Sequence, residues 1–365
     1  MTFGLLTALF AAGYGVMFTV LDDFRDEYGI SETSLGLVVA MGFFSSFLAQ
    51  VFIAPLADRG HARKLVYAGM TLNVAGMLVM AVADTELTLY GARLVMGLGA
   101  GMAIPAIRRI VVLADATNLG SNLGILLAAD VAGFALGPAV SAFLVEPFGI
   151  AAPFLVISVL QLACLPVVAR VRVDESTEAP RARLAFDLLR QRTYVAALLM
   201  GAAVFLMIGT FDALWVLVLD DLGASEWLAN IGITLFAVPM LFLASIGGRT
   251  SQRVGPFRFG SIGLLLGATA VFLYGQMPTG AAMMAVAMVH SVTDGLTVTS
   301  AGIAVGTVVP PERQAGAQGL LGGTQTLVGG LTAVSAGALY EHYGRTTAYT
   351  LCAIAMVVLD RKSVV

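Results

Sequence analysis

The chain has 365 residues, of which 58% are hydrophobic and 12% are charged, and its formal net charge at pH 7 is −3. Soluble domains are about 45–50% apolar and about 25% charged, so this composition excludes a water-soluble globular protein. The apolar residues fall in blocks of about 20, the length that a helix needs to cross the hydrocarbon core of a bilayer. The sequence therefore predicts an all-α integral membrane protein, since the alternation expected of barrel strands is absent.

Apolar segments that could span a membrane follow one another along the whole chain. The eleven full segments lie at approximately 3–21, 35–56, 65–83, 86–107, 121–145, 149–169, 193–219, 227–246, 259–276, 280–309 and 316–340. A twelfth begins near Thr346 but has only about 14 apolar residues, or about 21 Å of helix, which is short of the hydrocarbon core. We therefore expect twelve helices, the last of them truncated.

The last six residues, 360–365, read DRKSVV. This hexapeptide matches the translation of a common sequencing-adapter read. We therefore predict that it is an assembly scar that replaces the rest of helix 12. The alternative is a genuine short helix with a basic cytoplasmic end, which the distribution of positive charge would also allow.

Positive charge alternates between successive loops. Fifteen Lys and Arg residues lie in one set of loops, whereas the opposite set holds only Arg25 and Arg345. The positive-inside rule places the basic set in the cytoplasm. We therefore expect a multi-pass protein of a prokaryotic cell membrane, with a cytoplasmic N-terminus and an acidic outer face.

The longest polar break, 170–192, divides the spans into two groups of six that resemble each other. VLDDFRDEYGISETSLG after the first span is similar to VLDDLGASEWLANIG after the seventh, and EPFG (146–149) is similar to EHYG (341–344). Parallel six-helix repeats are typical of transporters that bind substrate near the midplane, between the repeats. The predicted organisation is an N-terminal six-helix bundle (1–169), a cytoplasmic central loop and a C-terminal six-helix bundle (193–359).

The loop APLADRGHARK (54–64) carries an acidic residue at a helix end among several bases. It resembles the G-x-L-a-D-R-x-G-R-K loop of the major facilitator superfamily, with Ala54 in place of the first Gly. The resemblance implies a cytoplasmic gate formed by Asp58, Arg59, Arg63 and Lys64. An ordinary basic loop would explain the bases but not the carboxylate. The corresponding loop (247–258) has Gln252 where the Asp would stand, so we do not expect a second full ion-pair gate there.

Two glycine-rich stretches strengthen the resemblance. RLVMGLGAG (93–101) is similar to a helix-4 motif that the family ties to proton coupling, and helix 5 has the G-x8-G-x3-G-P spacing of the antiporter motif. The residues concerned are Gly97, Gly99, Gly124, Gly133, Gly137 and Pro138. Ser141-Ala142 replaces the closing Gly-Gly. The resemblance to drug/proton antiporters implies the twelve-helix major facilitator fold, whereas generic packing of small residues is the alternative explanation.

Five ionisable residues stand inside the predicted spans: Arg93, Asp130, Asp212, His290 and Asp294. Each costs at least about 2.5–3.5 kcal/mol at the bilayer centre, so each is expected to face a cavity or a partner. Asp130 lies about 14 Å from the cytoplasmic end of its helix, near the midplane. Burial there disfavours the charged form, so Asp130 is a candidate proton carrier. An ion pair with Arg93, itself a proton-coupling candidate, is a compatible alternative.

His290 and Asp294 are spaced i, i+4 and therefore share one face of their helix. They form either a proton relay or a hydrogen-bonded pair that only positions the helix. Asp212 either binds a cationic substrate or reaches the membrane interface. Further candidates for a substrate pocket are Tyr14, Phe18, Phe211, Trp215 and Gln325, although aromatic side chains on membrane helices more often pack or face lipid.

These features predict a secondary transporter that exports a small amphipathic molecule in exchange for protons, by alternating access. The alternative is a proton symporter that imports a small metabolite. A membrane-embedded enzyme and a channel are less favoured, because the chain lacks both a catalytic set at helix ends and a continuous polar stripe. The expected partners are a small-molecule substrate, protons and the lipid bilayer, with no nucleic acid, cofactor or metal, and the protein is expected to be a monomer.

Overall fold

The computed structural model describes residues 2–170, 180 and 182–363. Every regular element in that part of the chain is helical, and ten of the helical segments found there are long and apolar enough to cross a membrane. The prediction of an all-α membrane protein is confirmed. In chain order the helices are α1 Thr2–Thr19, α2 Leu21–Tyr28, α3 Glu32–Leu48, α4 Ala62–Ala81, α5 Glu86–Ala114, α6 Leu119–Phe148, α7 Ala151–Arg170, α8 Arg192–Asp221, α9 Glu226–Val254, α10 Pro256–Tyr274, α11 Gly280–Thr297, α12 Ser300–Val308 and α13 Gln314–Ser363.

The last two predicted spans lie on one long helix, α13, that is kinked at Gly344. The φ angle of Gly344 is 78°, a conformation that glycine adopts without the steric penalty of a side chain. Within the predicted scar, α13 continues through residue 363, and Ser261 Oγ donates a 2.6 Å hydrogen bond to Asp360 Oδ1. Residues 364–365 lie outside the described residues, and the scar stays a prediction.

The end of α3 is reshaped before the loop that carries Asp58. Pro55 has no N–H group, so a regular helical ladder cannot continue through it. A wide π-helical turn covers Ala49–Ile53, where the N–H of Ala54 bonds to the carbonyl of Ala49, and a tight 3-10 turn covers Ala54–Arg59. Asp58 is therefore carried on a short 3-10 turn directly after the span.

Helix α5 is longer than the apolar segment that predicted it. The predicted span ended at 107, and Arg108 and Arg109 were assigned to a cytoplasmic loop, but α5 continues to Ala114. The predicted helix end was too early because helical backbone hydrogen bonds continue beyond the apolar segment, and long Arg side chains can keep their charged ends near polar groups. The cytoplasmic placement of the two arginines stays a prediction. Both arginines therefore project from a helix.

The chain forms two compact units. The first comprises Met1–Ala116, Ala129–Ala185 and Pro310–Gly323. Its helix α5 packs against α3 and α4, and α4 packs against α7. Val16, Met77 and Met96 are fully buried in its apolar core. Of the predicted central loop, residues 171–179 and 181 lie outside the described residues.

The second unit comprises Thr117–Ala128, Phe186–Val309 and Thr324–Val365. In it α9 packs against α11, and α8 packs against α12. Its largest buried side chains are aromatic: Trp215, Tyr194, Tyr274 and Tyr349. The unit boundaries fall within α6 and α13, so each of these helices contributes its first turns to a different unit from the rest of the helix.

Candidate functional site

Asp58 is the centre of a buried polar contact in the first unit. Its Oδ1 accepts hydrogen bonds from Arg109 Nε at 2.9 Å and from the N–H of Ala315 at 2.8 Å, and its Oδ2 accepts from the N–H of Gly316 at 2.7 Å. Both N–H groups belong to the first turn of α13, where they have no partner within the helix and the helix dipole is positive. One carboxylate thus joins a helix N-terminus to a guanidinium. We call this set, Asp58 with Arg109, Ala315 and Gly316, the charged clasp.

The bases of the predicted gate have other partners. Arg59 Nη2 donates to the carbonyl of Pro180 at 3.2 Å, and Arg63 donates to the carbonyls of Val168 and Ala169 at the end of α7. Lys64 is exposed. Arg63 therefore caps a helix C-terminus, a position where the helix dipole favours a cation. The ion-pair partner of Asp58 is Arg109, which the loop motif did not indicate.

Glycines at the start of α13 let it approach the end of α3. A Cβ atom at Gly319 would overlap the carbonyl oxygen of Gln50, and one at Gly322 would overlap the Gln50 side chain. Ala54, which replaces the first Gly of the family loop, faces Gly319. The methyl group of Ala54 is accommodated because its neighbour on α13 has no side chain.

Arg93 is fully buried inside α5. Its Nε donates to the carbonyl of Val38 at 3.3 Å, and its Cζ lies 4.5 Å from the centre of the Tyr14 ring. Its Nη1 and Nη2 have no hydrogen-bond acceptor among the described residues. A Cβ at Gly42 would overlap the guanidinium, so this glycine makes room for it. In the part of the chain that the structure describes, Arg93 is held by the hydrogen bond to Val38 and a cation–π contact, and it makes no ion pair.

Asp130 is half-buried on α6, and the charge that acts on it is Arg108 of α5. In the described part of the chain, Asp130 makes no ion pair with Arg93, the partner that the sequence suggested. The rise per residue gives the depth of each residue along its own helix, but it could not predict which face of α5 each arginine occupies.

The glycines of the G-x8-G-x3-G-P motif, which lies on α6, make two different contacts. A Cβ at Gly133 would overlap the backbone of Ala8, and one at Gly137 would overlap Gly15, so the part of α6 that contains Pro138 packs closely on α1. Gly124 instead lies against the carbonyl of Ala244 on α9. On α5, a Cβ at Gly97 would overlap Gly42 and one at Gly99 would overlap Gly69. Every motif glycine therefore lies at a close backbone approach.

His290 and Asp294 are both buried on α11, as their spacing predicted, but they are not hydrogen-bonded to each other in the described structure. His290 Nδ1 lies 2.8 Å from Tyr274 Oη, and Nε2 lies 3.1 Å from Met207 Sδ. The imidazole is therefore held by groups other than Asp294. Among the described residues, no cluster of three or more His, Cys, Asp or Glu side chains could hold a metal ion.

The substrate-pocket candidates lie in both units. In the first, Phe18 contacts Phe134 edge-on at 6.1 Å, and Tyr14 contacts Arg93 as described. In the second, Phe211 stacks on Trp215 at 4.7 Å. Trp215 and Gln325 are buried, whereas Asp212 is exposed. Phe211 and Trp215 are the two candidates that the structure brings together.

The sequence model of the Major Facilitator Superfamily matches residues 3–220 and 197–360. The chain belongs to this superfamily. It is therefore a multi-pass membrane transporter for small molecules and not an enzyme.

The transporter is similar to two kinds of bacterial resistance protein. Quinolone resistance protein NorA of Staphylococcus aureus is 27% identical over 135 residues, which cover 37% of this chain and 35% of NorA. Multidrug resistance protein 1 of Bacillus subtilis is 26% identical over 230 residues, which cover 59% of this chain and 57% of that protein. The matches thus span about a third and somewhat over half of these relatives. They confirm the resemblance to the drug/proton antiporter branch.

Solved structures share the fold of the transporter over almost its whole length. The human organic anion transporter MFSD10 has a TM-score of 0.82 and 16% identity, covering 99% of this chain and 98% of that one. The Escherichia coli fucose:proton symporter FucP has a TM-score of 0.78 and 15% identity, covering 99% and 97%. At these identities the likeness establishes the fold, and the predicted major facilitator fold is confirmed.

Proposed function

We propose that the transporter exports a small amphipathic molecule in exchange for protons, by alternating access. The observation that carries this proposal is the charged clasp. It joins Asp58, in the predicted N-terminal bundle, to the first turn of α13, in the predicted C-terminal bundle. Alternating access requires contacts between the bundles that form in one state and break in the other. A buried carboxylate held by a guanidinium and two N–H groups is a contact of that kind.

The export direction is supported by the relatives. NorA and the Bacillus protein are named for quinolone and multidrug resistance, and the glycine motif of α6 resembles the antiporter motif. The matches cover only part of each relative, so the substrate class of this chain is itself proposed. We expect a small amphipathic compound, similar to the drugs for which these relatives are named.

Proton coupling is assigned to the intramembrane ionisable residues, first of all to Asp130. Protonation of Asp130 would remove its electrostatic attraction to Arg108. A proton can shift the balance between two states only through a different affinity for each, and an attraction that changes as helices move supplies such a difference. Arg93, His290 and Asp294 are the further candidates.

Proton-coupled import of a small metabolite is the second candidate function. The likeness to the fucose:proton symporter supports it at the level of the fold only. For either direction we propose that the protein is a monomer in a prokaryotic cell membrane with its N-terminus in the cytoplasm, as the distribution of Lys and Arg predicts.

The test uses the full chain reconstituted in proteoliposomes with a pH-sensitive dye inside. A pH gradient is imposed, and a panel of fluoroquinolones, lipophilic cations and small metabolites is added. For an antiporter we expect the substrate and protons to move in opposite directions. We expect Asp130→Asn to abolish this coupling, because an amide cannot carry the proton.

The matched control is Asp220→Asn, which changes an exposed carboxylate at the end of α8. It should exchange substrate for protons as the parent does. Proton movement in the same direction as substrate would make the protein a symporter. Coupled exchange that is unchanged in Asp130→Asn would refute the role of Asp130 and leave Asp294 as the next carboxylate to test.

A further inference from the structure

Gln252 repeats the position of Asp58 in the second half of the sequence. Asp58 follows α3 and precedes Arg59, and Gln252 lies near the end of α9 and precedes Arg253. Each of these turns then contains a glycine with positive φ, Gly60 at 77° and Gly255 at 109°. The loop motif alone predicts no second full ion-pair gate here, because an amide stands where the carboxylate would be.

The amide makes the same kind of contact as the carboxylate. Gln252 Oε1 accepts a 2.7 Å hydrogen bond from the N–H of Gly120, in the first turn of α6, and its Nε2 donates to the carbonyl of Thr117 at 3.3 Å. The first N–H groups of a helix have no partner within the helix, so Gln252 caps α6 as Asp58 caps α13. An amide can also donate a hydrogen bond, which an ionised carboxylate cannot. Gln252 thus satisfies two groups at the start of α6 without any charge.

The backbones around Gln252 pack closely. A Cβ at Gly120 would overlap the carbonyl of Gly248, and a Cβ at Gly124 would overlap the carbonyl of Ala244. Small residues four apart on both helices allow such an approach. Ser121 Oγ and Ser245 Oγ, 3.0 Å apart, add a hydrogen bond across the same contact.

We propose that Gln252 is the centre of a second, uncharged clasp, which holds the start of α6 against the end of α9 and has to break together with the charged clasp. The proposal rests on the proposed function, because it assumes alternating access. Both clasps join a residue of one predicted bundle to a helix N-terminus of the other, although each lies within a single compact unit. The turn at Gln252 makes the same kind of contact with a helix N-terminus as the turn at Asp58, but its side chain carries no charge. Gln252 is a positioning residue that contacts no substrate in this assignment.

The test measures opening at this contact directly, without transport. Cys164 and Cys352 are first replaced by alanine, and Ser121→Cys then serves as the single reporter thiol. Its rate of reaction with a maleimide is compared in purified protein carrying Gln252, Gln252→Ala, Gln252→Glu or Arg253→Ala. We expect Gln252→Ala to react about five- to tenfold faster. Loss of one ordinary hydrogen bond would raise the population of the open contact by about this factor.

Gln252→Glu should react close to the parent rate, because its carboxylate still accepts the N–H of Gly120. Arg253→Ala is the matched control, since Arg253 is exposed beside Gln252, and it should not change the rate. Gln252→Met, which keeps the length of the side chain without its polar atoms, should behave as Gln252→Ala. The melting temperature of each variant separates opening from loss of the fold.

Equal labelling rates in the parent, Gln252→Ala and Gln252→Met, with unchanged melting temperatures, would overturn the proposal. An increase in Arg253→Ala as large as in Gln252→Ala would also overturn it. Failure of proton-linked exchange in proteoliposomes would instead refute the proposed function and leave the labelling result unaffected.

Discussion

The Nε atom of Arg109 lies 2.9 Å from Oδ1 of Asp58, and the two side chains are 0% and 2% exposed. Removing one member of a buried ion pair leaves the other charge uncompensated, which costs about 3–5 kcal/mol. Removing both leaves no such charge. We therefore expect the loss of either side chain alone to destabilise the protein more strongly than the structure of the remaining contacts would require.

The first prediction is that the losses of stability caused by Asp58→Asn and by Arg109→Gln are not additive. We expect each single variant to lower the free energy of unfolding, measured by SDS titration in detergent micelles. The double variant should lose less than the two single losses together, because contacting residues are energetically coupled. Lys64→Gln, on the exposed side of the same loop, is the control. Additive losses would show that the two side chains act independently.

The second prediction concerns the contact of α6 with α1. Gly133→Ala should lower the free energy of unfolding by about 1–3 kcal/mol, because the new methyl group would overlap the backbone of Ala8. Gly330→Ala is the matched control, since a Cβ there meets nothing within 4 Å. In that variant the better helix propensity of alanine should raise stability by up to about 1 kcal/mol. Thermal unfolding of both variants checks the expected opposite signs, and a shift in the same direction would contradict it.

The third prediction separates stability from function at Arg93. Burying a guanidinium whose Nη1 and Nη2 have no acceptor among the described residues costs free energy of desolvation, and an apolar side chain of similar length does not have this cost. Arg93→Met should therefore keep or raise the melting temperature, while abolishing proton-linked transport if Arg93 belongs to the coupling machinery. Arg25→Met, at a surface position, should leave transport unchanged. A variant that is destabilised but fully active would assign Arg93 a structural role.

The fourth prediction distinguishes the two members of the α11 pair. Both ring nitrogens of His290 have close neighbours, Tyr274 and Met207, so we expect His290→Leu to lower stability. Tyr274→Phe should lower it by about 1 kcal/mol, the typical contribution of one hydrogen bond. Asp294→Asn should affect proton coupling more than stability, because no polar partner holds its side chain among the described residues. Proton flux and melting temperature are measured side by side, and loss of coupling in Tyr274→Phe would argue instead for a relay through His290.

The fold was accessible from the sequence because span length and apolar composition are imposed by the bilayer itself. All predicted spans correspond to helices, whereas helix ends were less accurate, as Arg108 and Arg109 illustrate. The site was only partly accessible. The motif identified Asp58, but it assigned the neighbouring bases to the gate and missed Arg109. The one available signal was the pair of consecutive arginines, Arg108 and Arg109, near the end of α5, which stands close to the predicted cytoplasmic end.

The sequence by itself determined the class of protein, the helical nature of its spans and the positions of the two turns that carry Asp58 and Gln252. These are properties of local composition, spacing and chain order. Only the tertiary structure decided the partners: Asp58 with Ala315, 257 residues away, and Gln252 with Gly120, 132 residues away. Such contacts depend on the rotation of each helix about its axis and on glycines that let backbones meet. Linear spacing does not encode either property for a pair of distant helices.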